Sequence, residues 1–254
     1  MLLYALFAVL GLIALPFVLG PVLIKFTQRM PAQPEFAALD SERELPPEVY
    51  ALFKDAVTGL QALGFETHGF LSPVNPMAGQ TQYLALFSNP QNRDLAMAAG
   101  IFQVPITSDS LRTLYVEFMT RFEGSESLCT NNSKEIFPFP KVEGKRVEQF
   151  VSAQNPSELY GLHRALLQER AFPPVRALPE PGGYARLVSE SMIEGYDMQI
   201  GTGYLAKTDD GSHYIPTWKG ACLMTWRLCW PLSAWIRGRR DSRAEALRAK
   251  LAAR

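Results

Sequence analysis

The sequence predicts an α+β protein with a hydrophobic segment at each end, on the basis of three observations. The first 24 residues carry no charged side chain. The middle of the chain mixes helix-like and strand-like apolar patterns, which is typical of helices packed on an antiparallel sheet. All four tryptophans fall within residues 217–240. We therefore expect an N-terminal transmembrane helix, an antiparallel sheet of about five strands with two or more packed helices, and a C-terminal hydrophobic, tryptophan-rich helix.

Residues 1–24 form an apolar run that is long enough to cross a bilayer as a helix, since ~1.5 Å per residue exceeds a ~30 Å hydrocarbon core over this length. A cleaved signal peptide is the alternative, because it also begins with an apolar run. The run is longer than the apolar core of a usual signal peptide and no basic segment precedes it, which favours an uncleaved anchor. Pro16 and Pro21 are compatible with a kinked membrane helix.

Charge is distributed in three zones, although the net charge is zero. Residues 237–254 hold seven basic and two acidic side chains, and residues 1–30 hold two basic ones. The part between them, residues 31–236, therefore carries a net charge of −7. Basic residues beside membrane segments favour the cytoplasmic side. We therefore expect a single-pass protein with its N-terminus outside and its main domain in the cytoplasm.

The tryptophan-rich stretch 217–236 has three interpretations: a helix that lies on or dips into the inner face of the membrane, a second span, or a buried core helix. Arg227 and Lys219 disfavour a span, because charged side chains are costly inside a bilayer. Tryptophan prefers the headgroup region, which favours the first interpretation. A second span would instead give a two-span hairpin with the main domain outside. The predicted membrane-contacting residues are Trp218, Trp226, Trp230, Trp235, Arg237, Arg239 and Arg240.

The tail that follows, residues 241–254, is predicted to be a short basic helix with Ala244, Leu247 and Leu251 on one side. Two interpretations remain open. The basic residues could bind anionic lipids, or the segment could be a solvated and fraying C-terminus.

The body begins with a helix that starts at Pro46-Pro47 and ends at Gly64. In the strand predicted over 112–122, alternation places Leu114, Val116 and Phe118 on the core face. A second helix, from Asn155 as its cap to about Arg170, and a third over 184–199 follow the sheet. The predicted strands lie at about 66–71, 81–87, 95–104, 112–122, 126–131 and 145–151.

Two proline-rich stretches divide the chain. The expected organisation is a transmembrane anchor at 1–24, a linker at 25–46, an α+β domain at 47–171, a linker at 172–183, a helix plus β-hairpin at 184–216, a membrane-associated hydrophobic helix at 217–236 and a basic tail at 237–254.

The sequence contains none of the common motifs for nucleotide binding or hydrolysis: no Walker A loop, GxGxxG, GxSxG or HExxH. His163 is predicted on the apolar side of its helix, as a buried core histidine rather than a ligand or base. His68 and His213 are predicted at the surface. The three cysteines match no disulfide or metal spacing. We therefore expect no cofactor and no metal, and assign no catalytic residue.

The stretch TGYLAKTDDGSHYIPTWKGA, residues 202–221, resembles the wing hairpin of winged-helix transcription factors. This resemblance covers about twenty residues and implies DNA binding through the helix before the hairpin. That helix contains one arginine against Glu190, Glu194 and Asp197, and an acidic helix repels phosphate. Ile215-Pro216 also interrupts the second strand of the motif. We therefore expect the hairpin to form without binding nucleic acid.

These observations predict a membrane-anchored, non-enzymatic binding, sensing or scaffold protein at the inner face of the membrane. Its expected partners are the lipid bilayer, anionic lipids and an unidentified protein. A membrane-bound, hydrolase-like enzyme is the alternative. Convergence of His68, Tyr115, Glu117 and Asn131 in one cleft would favour an enzyme or ligand sensor, whereas a flat apolar patch would favour a partner surface.

Overall fold

The computed structural model confirms the α+β class and describes residues 2–39, 44–75, 80–107, 109–140 and 142–252. Within the first helix, the described side chains are those of Tyr4, Gly11 and the residues from Ala14 onward. The helices are α1 Leu2–Thr27, α2 Pro47–Ala62, α3 Pro156–Leu167, α4 Tyr184–Gly201, α5 Trp218–Leu228 and α6 Leu232–Ala252.

The strands form one sheet of seven strands and one of three. The order in the large sheet is β2-β3-β4-β5-β6-β7-β8, and its strands are antiparallel except for the parallel pair β7–β8. The small sheet has the order β1-β10-β9. The strands are β1 Met30–Pro31, β2 Phe36–Leu39, β3 Glu66–Pro73, β4 Gln80–Asn89, β5 Asp94–Gln103, β6 Leu111–Arg121, β7 Ser127–Asn131, β8 Lys145–Gln149, β9 Leu205–Lys207 and β10 His213–Pro216.

The chain divides into two compact units, which are described separately below. Unit 1 contains α1, the small sheet, most of α4, α5 and the first part of α6; its ranges are Met1–Pro34, Glu135–Val142 and Glu190–Arg240. Unit 2 contains the large sheet, α2, α3, the start of α4 and the end of α6; its ranges are Glu35–Lys134, Glu143–Ser189 and Asp241–Arg254.

One face of the large sheet in unit 2 is buried beneath α2 and α3. Phe53 of α2 and Leu159 of α3 are fully buried in the same apolar cluster as Phe118 of β6. Val116 is buried beside Phe118, so the predicted core face of the 112–122 strand is confirmed. The end of α6 also packs on this cluster through Ala244 and Leu247.

The opposite face of the sheet is covered by the start of α4. Tyr184 and Leu187 of α4 pack there against Leu84, Leu86 and Leu95 of the sheet. Burial on both faces explains why β4 and β5 have nearly continuous apolar sequences rather than strict alternation, since both sets of side chains leave water.

Sequence periodicity located most elements of unit 2, and tertiary pairing added others. All six predicted strands are present, and the second helix is capped as predicted, with the Asn155 side chain accepting from the Glu158 N–H at 2.8 Å. The sheet has seven strands, one more than these six ranges and two more than the expected total of about five, and it is mixed rather than antiparallel. The additional edge strand β2 lies within the predicted linker 25–46 and pairs with β3.

Unit 1 contains the predicted hairpin, formed by β9 and β10. Thr208, Asp210 and Ser212 close its turn, where Asp210 accepts from the Ser212 N–H at 3.0 Å. Tyr214 of β10 is fully buried and its hydroxyl donates to Asp197 of α4 at 2.8 Å. The two-residue strand β1 adds to the hairpin as a third strand and was not predicted.

The two hydrophobic segments differ from their predictions. None of the helices that the structure describes combines the length and the apolar character needed to cross a bilayer, so the predicted transmembrane helix is unsupported there. The stretch 217–236 is two helices rather than one. α5 ends at Leu228, and α6 begins at Leu232 after a cis peptide bond between Trp230 and Pro231. Proline lacks an N–H and interrupts the helical hydrogen-bond ladder, which explains the break.

Candidate functional site

In unit 1, α1 and α5 pack against each other in antiparallel directions. Near the end of α1, the Lys25 ammonium donates to the Pro216 carbonyl at 2.9 Å, and Phe26 meets Trp218 edge-on with ring centroids 5.9 Å apart. Nine residues earlier in α1, the Phe17 carbonyl accepts from the Trp226 indole N–H at 3.2 Å. These contacts align the start of α5 with the end of α1.

The closest approach of the two helices is at Gly20. A β-carbon built on Gly20 would lie 2.4 Å from Thr225 Cγ2, so the position has no room for a larger side chain. Thr225 is itself buried and its hydroxyl donates to the Ala221 carbonyl at 2.9 Å, which leaves no unpaired polar group in the contact. Small residues that allow two backbones to approach in this way are typical of helix pairs in membranes.

Unit 1 presents an unusual apolar surface, which we call the tryptophan face. Of the fifteen exposed large apolar side chains among the described residues, thirteen belong to unit 1 and two to unit 2. So many exposed large apolar side chains in one unit are unusual, since monomeric soluble proteins rarely expose large apolar patches. The tryptophan face consists of Tyr4, Leu15, Val18, Leu19, Val22, Leu23, Phe26, Phe137, Trp218, Trp226, Leu228, Trp230 and Trp235.

All four tryptophans that the sequence analysis predicted to contact the membrane are exposed in this face, and Trp230 is the most exposed of them at 66%. Trp235 also pairs with Arg239, whose guanidinium carbon lies 4.8 Å from the centre of the indole. Arg237 and Arg239 are exposed. Arg240 is partly buried and its guanidinium donates to the Glu135 carbonyl at 3.3 Å.

Arg227, whose charge disfavours a membrane span, lies in the last turn of α5. Its Nε donates to the Phe137 carbonyl at 3.1 Å. α5 has eleven residues, a length of ~16 Å at ~1.5 Å per residue. A helix of this length covers about half of a ~30 Å hydrocarbon core.

The basic tail is mostly engaged within unit 2. Lys250 donates to Glu169 at 2.9 Å, and Arg243 donates to Glu148 at 3.2 Å. Arg248 forms an ion pair with Glu158 and also donates to Ser152 at 3.2 Å. Ala244 is buried and Leu247 packs on the core below these pairs. Residues 241–252 are therefore the end of α6 and pack on the core of unit 2.

A polar group lies on the α4 side of the large sheet in unit 2. The Asn131 amide donates to the Glu117 carboxylate at 2.9 Å, and Tyr115 lies two residues before Glu117 on β6. Burial raises the pKa of Glu117, against the opposing effect of the Asn131 hydrogen bond. Burial, together with the Glu117 charge, also raises the pKa of Tyr115.

His68, the fourth residue of the predicted cleft, is not part of this group. It lies on β3, separated from β6 by β4 and β5, which corresponds to ~14 Å at ~4.8 Å between strands. Its imidazole stacks on Tyr184 with centroids 3.7 Å apart, and Nε2 lies 2.6 Å from Ser88 Oγ. Burial lowers its pKa. The structure therefore brings Tyr115, Glu117 and Asn131 together without His68.

His163 is fully buried in unit 2, as the sequence predicted. Its Nε2 lies 2.9 Å from the Thr120 hydroxyl and its Nδ1 lies 2.9 Å from the Thr130 hydroxyl. Thr120 in turn donates to Asp94 at 2.5 Å, and Arg164 donates to the other Asp94 oxygen at 3.0 Å. Since Thr120 gives its proton to Asp94, its oxygen accepts from the Nε2–H of His163. Burial lowers the pKa of His163 to about 4.

The cysteines and acidic side chains do not assemble into a recognisable metal centre in the described part of the chain, where no group of three or more His, Cys, Asp or Glu residues could hold an ion. The three cysteines are free thiols there. Cys129 lies on β7, and burial raises its pKa well above the ordinary value. A thiol of raised pKa is a poor nucleophile at neutral pH, because little thiolate forms.

Two features of these sites were missed at the sequence level. The Glu117–Asn131 hydrogen bond joins two strands, and nothing in the local sequence of either strand indicates it. The pairing of the α6 cations with glutamates of unit 2 joins residues that are 81 or more positions apart. Charge composition could have suggested it, since an acidic body is followed by a basic tail. No family model, curated protein or solved structure shows a significant match to the chain.

Proposed function

We propose that the protein is a membrane-anchored binding or scaffold protein, in which unit 1 contacts the bilayer and unit 2 offers a surface to an intracellular partner. The tryptophan face carries this proposal. Thirteen exposed large apolar side chains within one unit are poorly suited to water, because burying a single such side chain stabilises a protein by ~1.5–3 kcal/mol. A bilayer removes many of them from water at once.

The composition of the face supports a membrane over a protein partner. Its four tryptophans match the preference of indole for the headgroup boundary, where the ring is buried and the N–H stays hydrated. α1 supplies a helix of 26 residues, which is ~39 Å long and exceeds the ~16 Å of α5. Since α5 aligns with the end of α1, the earlier part of α1 extends beyond it and serves as the anchor in this proposal.

The proposed orientation places unit 2 at the inner face of the membrane. Lys25 and Arg29 follow the apolar run of α1, and Arg237 and Arg239 follow the tryptophans. Basic residues beside membrane segments remain on the cytoplasmic side. The short length of α5 supports an interfacial position rather than a second span. A second span would place unit 2 outside.

Lipid contact is tested with the full-length protein reconstituted in vesicles, using brominated acyl chains as quenchers of tryptophan fluorescence. Since all four tryptophans belong to unit 1, their emission reports this unit alone. We expect strong quenching, greatest for bromine placed near the headgroup. Trp230→Phe should reduce it more than Trp218→Phe, because Trp218 is partly covered by Phe26. Emission like that of water-exposed indole, with no quenching, would refute membrane contact by the tryptophan face.

Orientation is tested by thiol labelling at Lys54, which is exposed on α2. The variant is Lys54→Cys with Cys222→Ser and Cys229→Ser. Cys129 is retained because it is only partly exposed and the raised pKa of its thiol leaves little reactive thiolate. In intact cells a membrane-impermeant maleimide should label the variant only after permeabilisation. The same protein without Lys54→Cys is the control for residual labelling at Cys129. Labelling of intact cells would place unit 2 outside and contradict the proposed orientation.

A membrane-bound enzyme is the second candidate, and the observation that favours it is the buried Glu117 carboxyl beside Tyr115 and Asn131. A carboxyl of raised pKa can act as a general acid or bind a polar ligand. A small molecule that raises the melting temperature of the wild type but not of Glu117→Gln would favour this candidate. Asp55→Asn, at an exposed position of α2, is the matched control for loss of one carboxylate.

A further inference from the structure

We propose that Arg237 and Arg239, at the start of α6, bind the phosphates of anionic phospholipids, with Trp235 fixing their depth in the headgroup region. This inference rests on the proposed membrane contact of unit 1 and adds the class of lipid and the residues that select it. It is an interaction surface of defined chemistry: aromatic side chains that enter the boundary of the bilayer, followed within a helical turn by guanidinium groups.

The basic residues of α6 differ in their partners, and Arg240 donates to the Glu135 carbonyl at 3.3 Å. Arg243, Arg248 and Lys250 each bind a glutamate of unit 2. Arg237 and Arg239 are exposed and have no acidic partner among the described residues. The cations Arg243, Arg248 and Lys250 are held against carboxylates, whereas the charges of Arg237 and Arg239, at the start of the helix, have no such neighbour among the described residues.

Trp235 and Arg239 are four residues apart and lie on one face of the helix. The Arg239 guanidinium lies over the indole at 4.8 Å, a cation–π contact that holds the charged group beside the ring. Since indole locates at the headgroup boundary, the guanidinium is held at the level of the lipid phosphates. Its planar set of donors fits two phosphate oxygens at once.

Arg237 and Arg239 lie close in sequence to exposed apolar residues that are suited to insertion into a membrane. Trp230 and Trp235 are 66% and 56% exposed, and they precede Arg237 and Arg239 along the chain. Stable attachment at a membrane surface requires an apolar and a basic contribution together. A soluble phosphate ligand or a nucleic acid would use the arginines but would leave the exposed indoles in water, so the combination favours an anionic bilayer surface.

The expected selectivity follows from the attraction of each basic residue to an anionic leaflet, which corresponds to about a fivefold preference per arginine. The two preferences multiply to roughly 25-fold as an upper limit, so anionic lipid should be enriched at least several-fold around Trp235 at low ionic strength. The enrichment should decline as salt is added, because these side chains are exposed to solvent.

The test uses the full-length protein with Trp235 as its only tryptophan, through Trp218→Phe, Trp226→Phe and Trp230→Phe. It is reconstituted in vesicles of fixed phosphatidylglycerol and phosphatidylcholine content. In one preparation the bromine is on the phosphatidylglycerol, and in the other it is on an equal mole fraction of phosphatidylcholine. The ratio of the two quenching efficiencies measures local enrichment and cancels any direct effect of a variant on indole emission.

We expect a ratio several times above one, which falls to about one in Arg237→Gln/Arg239→Gln. Arg243→Gln/Arg248→Gln removes the same number of charges from α6 and should retain the ratio, because those arginines are bound to glutamates. A ratio of one in the unsubstituted arginine background, with quenching by both lipids, would overturn this inference and leave the membrane contact intact. Absence of quenching by either lipid would overturn the proposed membrane contact itself. Loss of the ratio with inorganic phosphate, but not with chloride at equal ionic strength, would assign the arginines to a soluble phosphate and also overturn the inference.

Discussion

Unit 1 and unit 2 use apolar side chains in opposite ways. In unit 2, Phe53, Phe87 and Phe118 are fully buried between the sheet and its helices. In unit 1, side chains of the same class, such as Leu23 and Trp230, are more than half exposed. This contrast is the basis of our proposal that unit 2 is surrounded by water and unit 1 contacts lipid.

The units also differ in their buried polar groups. Unit 2 contains a continuous buried chain from Asp94 through Thr120 and His163 to Thr130. A chain of this kind is stabilising only while each member keeps its partner, because an unpaired polar group in the interior is costly. In unit 1 the helix contact at Gly20 and Thr225 depends instead on close packing of small residues. The two units should therefore respond differently to truncation, to acid and to added bulk.

The largest difference is expected for truncation of an apolar side chain. Phe118→Ala should lower the free energy of unfolding by ~3–5 kcal/mol, because it leaves a cavity in the core of unit 2. Leu23→Ala removes a side chain that is 60% exposed. It should change the free energy of unfolding by less than ~0.5 kcal/mol. The measurement is guanidinium unfolding of the full-length protein in detergent, followed by far-UV circular dichroism. Similar midpoints for wild type and Phe118→Ala would show that the core face of β6 is wrongly assigned.

Acid should produce the next largest difference. Burial holds the pKa of His163 at about 4 in the folded protein, against an ordinary value of 6.5. Above pH 6.5 the imidazole is neutral in both states and its contribution is constant. As the pH falls from 6.5 to 4, the unfolded state takes up a proton that the folded state does not, so unit 2 should lose ~3 kcal/mol of stability.

His163→Gln is the matched variant for this acid effect, since it retains a hydrogen-bonding side chain that does not titrate. Its free energy of unfolding is expected to be lower at pH 7 but to depend less on pH between 6.5 and 4 than that of the wild type. Tryptophan emission, which reports unit 1, should change little over the same range. Equal pH dependence in the two proteins would contradict the buried neutral assignment of His163.

The comparison of the units also explains which elements were predictable from the sequence. α2, α3 and β4 to β6 follow local patterns of period 3.6 or 2 with turn residues between them, and each was located from those patterns. β2 was missed because it is an edge strand of four residues in a segment rich in proline. Its existence depends on pairing with β3, which a local pattern does not contain.

The candidate site was predictable only in its composition. The clustering of four tryptophans and the adjacent arginines is evident in the sequence, and the structure places all four tryptophans at the surface. The sequence could not separate Arg239, which stacks on Trp235, from Arg248, which pairs with Glu158. Both are arginines on one helix, and their roles are decided by residues from distant parts of the chain. A single helix was expected over 217–236, but α5 ends at Leu228 and α6 begins at Leu232.

The smallest expected effect concerns the contact that joins α1 to α5 in unit 1. Gly20→Leu places a side chain where a β-carbon alone would lie 2.4 Å from Thr225 Cγ2, and overpacking of this kind costs ~1–3 kcal/mol. Gly11→Leu adds the same apolar bulk to α1 at a position with nothing within 4 Å, so it controls for the change in hydrophobicity. Unfolding followed by tryptophan fluorescence should show a lower midpoint for Gly20→Leu alone, while far-UV circular dichroism, which averages over both units, should change less. Equal midpoints for the two variants would mean that α1 and α5 do not pack through Gly20, and the tryptophan face would then lose the helix pairing that holds its two halves together.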